Sequence, residues 1–190
     1  MNKLVFFASG SGSNFQSVID AVKNNEIDAV ISGLITDNDR AGAIERAKNH
    51  NIETTIIPDF DSQDADDKLI KYLNKWEPDL IVLAGFLKKI PDHITRLYPQ
   101  KIINIHPSLL PKYGGKGFFG SHVHRAVLES GDGVSGCTVH FVNEKYDEGK
   151  IIKQTQVKVL PEDTVETLAQ RVLSEEHKLL PEVIKQILNK

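Results

Sequence analysis

The first hundred residues repeat one pattern: a short apolar run, then a segment with helical spacing of its apolar residues. Leu4-Val5-Phe6-Phe7-Ala8 precedes apolar positions 15, 18, 19 and 22. A strand over 28–35 precedes a helix over 41–50, and one over 54–57 precedes a helix over 64–76 carrying Leu69, Ile70, Leu73 and Trp76. Leu80-Ile81-Val82-Leu83-Ala84 leads to Pro91 and a helix over 92–97, before a further run opens at Ile102. Runs without polar alternation suit strands covered on both faces, and helical crossovers between such strands demand a parallel sheet. Later the rhythm changes. Residues 134–142 and 151–160 read as two longer strands, joined by a polar connection suited to an antiparallel pair. The expected fold is α/β, a mostly parallel twisted sheet with helices on both faces and one antiparallel strand late in the chain.

The chain has 190 residues with no repeats, low-complexity tracts or linkers, so one domain over 1–190 is expected. A formal net charge of −3 and no block of Lys or Arg give no field for nucleic acid. No apolar run reaches membrane-spanning length, and the amino-terminal run is too short and poorly flanked for a signal peptide. The one cysteine, Cys137, rules out an intrachain disulfide and a cysteine-based metal cluster. A cytoplasmic protein is expected.

The chemistry concentrates in Ile102-Ile103-Asn104-Ile105-His106-Pro107-Ser108-Leu109-Leu110-Pro111. A β-branched run delivers an amide and an imidazole where two prolines end regular structure. Residues two apart leave the same strand face, and the carboxyl ends of strands in an open α/β sheet face the ligand crevice. An amide donor beside a proton carrier suits attack on a carbonyl. A second candidate is Ser9-Gly10-Ser11-Gly12-Ser13-Asn14 between the first strand and helix. Such a turn aims free amides at an anion, but it is neither the dinucleotide fingerprint nor a Walker loop, and a tight turn with a good N-cap is the plain alternative.

Other polar residues have plainer readings. His122 and His124 point apart on a helix and are expected to bond locally rather than bind metal. His140 reads as structural within its strand, Cys137 as a small apolar residue, and Lys88 with Lys89 as a solvated helix entry. Asp147 is either a turn former or the carboxylate that fixes an imidazole's tautomer and charge. The glycine-dense loop 114–120 is expected to be mobile without ligands. Asp163-Thr164-Val165-Glu166 resembles a capping box that starts a long amphipathic helix with a potential break at Pro181.

Taken in order, Gly10-Ser11-Gly12-Ser13-Asn14, Ala84-Gly85-Phe86, the 104–111 stretch, Val134-Ser135-Gly136-Cys137-Thr138-Val139-His140-Phe141-Val142 and Asp147-Glu148-Gly149 resemble the folate-dependent phosphoribosylglycinamide formyltransferase family, over essentially the whole chain. The resemblance implies a Rossmann-like formyltransferase fold and a one-carbon transferase of purine biosynthesis. It would pass the formyl group of 10-formyltetrahydrofolate to the glycyl amine of glycinamide ribonucleotide, as monomer or homodimer, without metal or covalent intermediate. By similarity Asn104, His106 and Asp147 would be catalytic, with Asp147 raising the His106 pKa. Gly12, Ser13 and Asn14 would hold the substrate phosphate and Glu176 the ribose hydroxyls. Leu87, Lys88, Lys89 and Ile90, with Asn143, Glu144, Lys145, Tyr146 and Asp147, would enclose the folate head group. The family pattern is broken at Lys150, where proline is common, at Leu173, where a polar contact is often found, and near Ser62, where the arginine often placed there has no clear match, Gln63 being nearest. Rival expectations are other formyl-folate enzymes with an added domain, a non-catalytic nucleotide-binding module and a metal-dependent hydrolase.

Overall fold

The computed structural model describes residues 1–60 and 62–189. Among them seven strands form one sheet in the order β3-β2-β1-β4-β5-β6-β7. The first half alternates as expected: β1 (Asn2–Phe7), α1 (Ser13–Lys23), β2 (Ala29–Thr36), α2 (Gly42–Asn49), β3 (Thr54–Ile56), α3 (Gln63–Trp76), β4 (Leu80–Ala84), α4 (Asp92–Leu97) and β5 (Ile102–His106). After it come α5 (Ser121–Ser130), β6 (Val134–Phe141), β7 (Ile151–Lys158) and α6 (Val165–Leu188). The pairs β1·β2, β1·β4, β2·β3 and β4·β5 are parallel; β6 is antiparallel to both β5 and β7, so it alone runs against the rest.

Strand period divides the core in two. Leu4, Phe6, Leu80, Val82, Ile103 and Ile105 face one side, against α1, α2, α5 and α6. Val5, Phe7, Ile81, Leu83 and Ile102 face the other, against Leu69, Leu73 and Trp76 of α3 and Ile94 of α4. Asn104 and His106 share the parity of Ile102. Because the apolar contribution ends with Ile102, these two polar residues emerge where that face opens beyond the strand end.

Two local expectations change. The box that starts α6 lies one residue along: Thr164 accepts from the Thr167 amide (3.2 Å), and Thr167 Oγ1 accepts from the Thr164 amide (2.9 Å). Asp163 instead takes a two-pronged bond from Arg171 at 2.6 and 2.8 Å. Pro181 does not break α6, because Leu179, Leu180, Val183 and Ile184 on either side of it are all held in the core. No helix among the described residues is long and apolar enough to cross a membrane.

Candidate active site

Chain order reverses direction across the sheet at β1, which lies between β2 and β4. In open α/β sheets this is where a crevice forms beyond the carboxyl ends of the strands. A cavity of about 730 Å³ lies there, reached by the turn after β1, the segment after β4, the end of β5, the 115–121 loop and the β6–β7 connection.

The turn after β1 is built to present amides. Its carbonyls are tied down: Ser9 O accepts from Asn38 Nδ2 (3.0 Å), Gly10 O from the Ala43 amide (3.2 Å) and Ser11 O from Arg46 Nε (2.8 Å). Gly12 begins α1 in the left-handed conformation (φ 72°), and a Cβ there would lie 2.8 Å from Ala43. No side chain caps α1, contrary to the plain N-cap reading, so its first-turn amides keep their capacity for an anion. Gly12, Ser13 and Asn14 line the cavity together with Glu176. Asn14 Nδ2 donates to Glu176 Oε2 at 2.6 Å, while Asn14 Oδ1 is buried without a partner. Burial pushes the Glu176 carboxyl up to about 7, against the lowering effect of the Asn14 bond.

At the end of β5, Asn104 and His106 meet Asp147 from the β6–β7 connection. His106 is 5% exposed; its Nε2 lies 2.8 Å from the Tyr113 carbonyl and so donates to it. That fixes the neutral tautomer and leaves Nδ1 as a lone pair 3.6 Å from Asp147 Oδ2. Asp147 adopts φ 54°, a conformation aspartate tolerates better than most residues. Burial would raise its pKa, but the neighbouring His140 and His106 imidazoles and the Gly115 amide together hold it below the usual value. For His106 the balance runs the other way. Desolvation lowers its pKa, and the opposing pull of Asp147 and of the Tyr113 carbonyl does not restore it. The expected charged imidazole is therefore corrected: Asp147 pulls in the expected direction, and burial outweighs it.

Two histidines given bland roles belong to the site. His140 stands directly across the β5–β6 ladder from Asn104. Its Nδ1 donates to the Phe141 carbonyl (2.8 Å), its Nε2 faces Asn104 Nδ2 at 3.1 Å, and Asp147 Oδ1 is 3.5 Å away. Knowledge of the cross-strand register would have found it; periodicity alone could not. His124 lines the cavity, 5% exposed, and its buried Nδ1 has no partner, so the local bonding expected of it is absent. His122 instead rests edge-on against Phe119.

Leu87, Lys88, Lys89 and Ile90 line the cavity on one side and Asn143, Lys145, Tyr146 and Asp147 on another. Glu144 does not: it turns outward to Arg96, 4.0 Å away on α4. Lys89 is held by Asp92 at 2.6 Å. Leu173 is on the lining, whereas Gln63 Nε2 points along α3 to Asp67 Oδ1, 3.5 Å away. Cys137 is buried, and burial pushes its thiol up to about 12, consistent with an inert apolar role. Among the described residues no group of three or more metal-ligating side chains occurs.

The formyl transferase family model matches residues 2–184. Phosphoribosylglycinamide formyltransferase of Escherichia coli is 39% identical over 184 residues, covering 95% of this chain and 84% of that protein. The chloroplastic phosphoribosylglycinamide formyltransferase of Arabidopsis thaliana is 43% identical, with 97% of this chain covered; this chain spans 65% of that longer protein. Glycinamide ribonucleotide transformylase 1 from Geobacillus kaustophilus superposes with a TM-score of 0.90 at 36% identity, over 99% of both chains.

Proposed function

The chain belongs to the formyl transferase family, and from that footing we propose that it moves the formyl group of 10-formyltetrahydrofolate onto the glycyl amine of N1-(5-phospho-D-ribosyl)glycinamide, a step of purine biosynthesis. One observation carries this reading: a single cavity joins an uncapped helix start, a buried carboxyl and an amide–imidazole–carboxylate cluster. The phosphate fits the amides of Gly12, Ser13 and Asn14, and the ribose hydroxyls fit Glu176. The folate ring fits between Leu87, Lys88, Lys89 and Ile90 on one side and Asn143, Lys145 and Tyr146 on the other, a lining of apolar side chains with a few polar groups.

The amine attacks the formyl carbon, and negative charge develops on the formyl oxygen. Asn104 Nδ2 spends one N–H on His140; the other faces Asp147 Oδ1 at 3.5 Å, a contact too long to be strong, and is available to that oxygen. A well-placed donor of this kind is worth roughly 3–4 kcal/mol. His106 begins neutral, with its Nδ1 lone pair ready to take the proton that the amine sheds. Once protonated, it gains Asp147 as a counter-ion 3.6 Å away and can return the proton to the departing folate nitrogen. Glu176 is a third titratable group in the same cavity, and as a neutral acid it can donate to a hydroxyl as well as accept from one.

The test is a product assay with both substrates, together with calorimetry of each alone. We expect formylated ribonucleotide and free tetrahydrofolate in equal amounts, and binding of each ligand. Ribonucleotide binding without folate binding would favour a nucleotide-binding module. Formate in place of formylated amine would make the protein a hydrolase.

A further inference from the structure

We propose that Tyr113 and Asp132, which lie outside the substrate cavity, are positioning residues that lock a backbone clip holding His106 and Asp147 in register. The inference rests on the reading of those two groups as the working pair.

The clip is residues 113–115. The Tyr113 carbonyl accepts from His106 Nε2 at 2.8 Å, and two residues on, the Gly115 amide donates to Asp147 Oδ2 at 2.9 Å. One short piece of main chain therefore fixes the imidazole's tautomer and the position of the carboxylate facing it. Between the two contacts, Gly114 fits closely: a Cβ would lie 2.5 Å from Leu110 Cδ2 and 3.3 Å from the Asp147 Cβ.

Left to itself this segment has reason to move. Tyr113 sits at φ 53°, a left-handed conformation disfavoured for a bulky side chain, and such residues persist only where their surroundings over-determine them. The Tyr113 ring packs against the core and beside Phe118, and its hydroxyl is held by a polar cluster behind the site. The Tyr113 hydroxyl donates to Asp132 Oδ2 at 2.8 Å and lies 2.6 Å from Ser130 Oγ, which itself donates to the Val127 carbonyl. Lys112 Nζ bridges both Asp132 oxygens at 3.0 and 2.8 Å, and Ser108 Oγ donates to the Lys112 carbonyl at 2.6 Å. The lysine and tyrosine hydrogen bonds hold Asp132 ionised, below its ordinary pKa. Tyr113 and Asp132 line a separate hollow of about 250 Å³ beside α5, not the substrate cavity, so changing them removes no substrate contact.

The groups that face His106 are Asp147 and His140, with His124 from α5. All three are untouched in Tyr113→Phe and Asp132→Asn, so a change at His106 in either variant reports the clip alone. The experiment is nitrogen-15 NMR of His106 in the free protein, with turnover measured beside it. In the wild type we expect one neutral tautomer, protonated at Nε2. In both variants we expect a mixed tautomer and a lower His106 pKa, because the Tyr113 carbonyl contact raises it. With both substrates, kcat should fall about tenfold while each KM stays within about twofold. An unchanged tautomer, pKa and kcat, even with a lower melting temperature, would make the cluster merely structural and overturn the proposal. Tyr113→Phe keeps the packed ring and decides the matter if Asp132→Asn folds poorly. The NMR readout needs no activity: a wild type without formyl transfer would refute the functional reading while the clip is still judged by its tautomer.

Discussion

At the scale of single residues the decisive balance is between burial and charge at His106. Burial dominates, so the free imidazole is neutral near pH 7 and its acid limb in kcat/KM should fall below the ordinary histidine range. Asp147 is the main force raising that pKa. In Asp147→Asn the limb should therefore move to lower pH even as the plateau drops, and a limb moving upward would contradict the assignment. Asn104→Ala should cut kcat by about 10²–10³ with little change in KM, since the missing donor acts on charge that exists only during transfer. Asn104 and His106 were legible because strand period and a following proline place both beyond a strand end. His140 was not, because its importance comes from standing opposite Asn104 on another strand. Glu144 failed for a related reason: a segment's resemblance does not say which of its side chains turn inward.

At the scale of elements, the segment that carries Asp147 depends on Gly149. A Cβ there would lie 1.7 Å from the Phe141 carbonyl oxygen, and no rotamer relieves a backbone clash. Gly149→Ala should displace the connection, cost about 2 kcal/mol or more in denaturant unfolding, and remove most turnover through Asp147. Wild-type unfolding together with full activity would show that the connection yields freely. Most helices and strands were readable to within a residue or two, because apolar periods of 2 and 3.6 and the glycines and prolines between them agree. The start of α6 slipped by one because Thr164 and Thr167 bond each other while Asp163 is claimed by Arg171, a partner eight residues away. Pro181 stayed helical because tertiary packing around it outweighed its local preference.

At the scale of the whole molecule, the fold brings together residues far apart in sequence: Asn14 on α1 and Glu176 on α6 bond across 162 positions. Burying that carboxyl has a consequence for stability. Its pKa is raised from 4.5 to about 7 in the fold, so the native state keeps a proton that the unfolded chain releases. The stabilisation is complete below about pH 4.5 and is lost as pH rises through about 7, roughly 3 kcal/mol for a shift of this size. Glu176→Gln should keep its stability across that window, so the gap between variant and wild type should widen in the variant's favour from pH 5 to pH 8. A constant gap in unfolding free energy would mean that Glu176 is already ionised in the fold. The strand alternation of the first half reveals the crevice, and with it the region of the site; the pairing of α1 with α6 across it follows from packing that no local pattern encodes.

In the proposed reaction every proton passes through His106. The most direct measurement of that role is single-turnover transfer by His106→Ala with both substrates saturating, alongside their dissociation constants. The transfer rate should fall at least about 10²-fold, with both affinities within a few-fold of wild type. An unchanged rate, or a loss explained wholly by weaker binding, would contradict it.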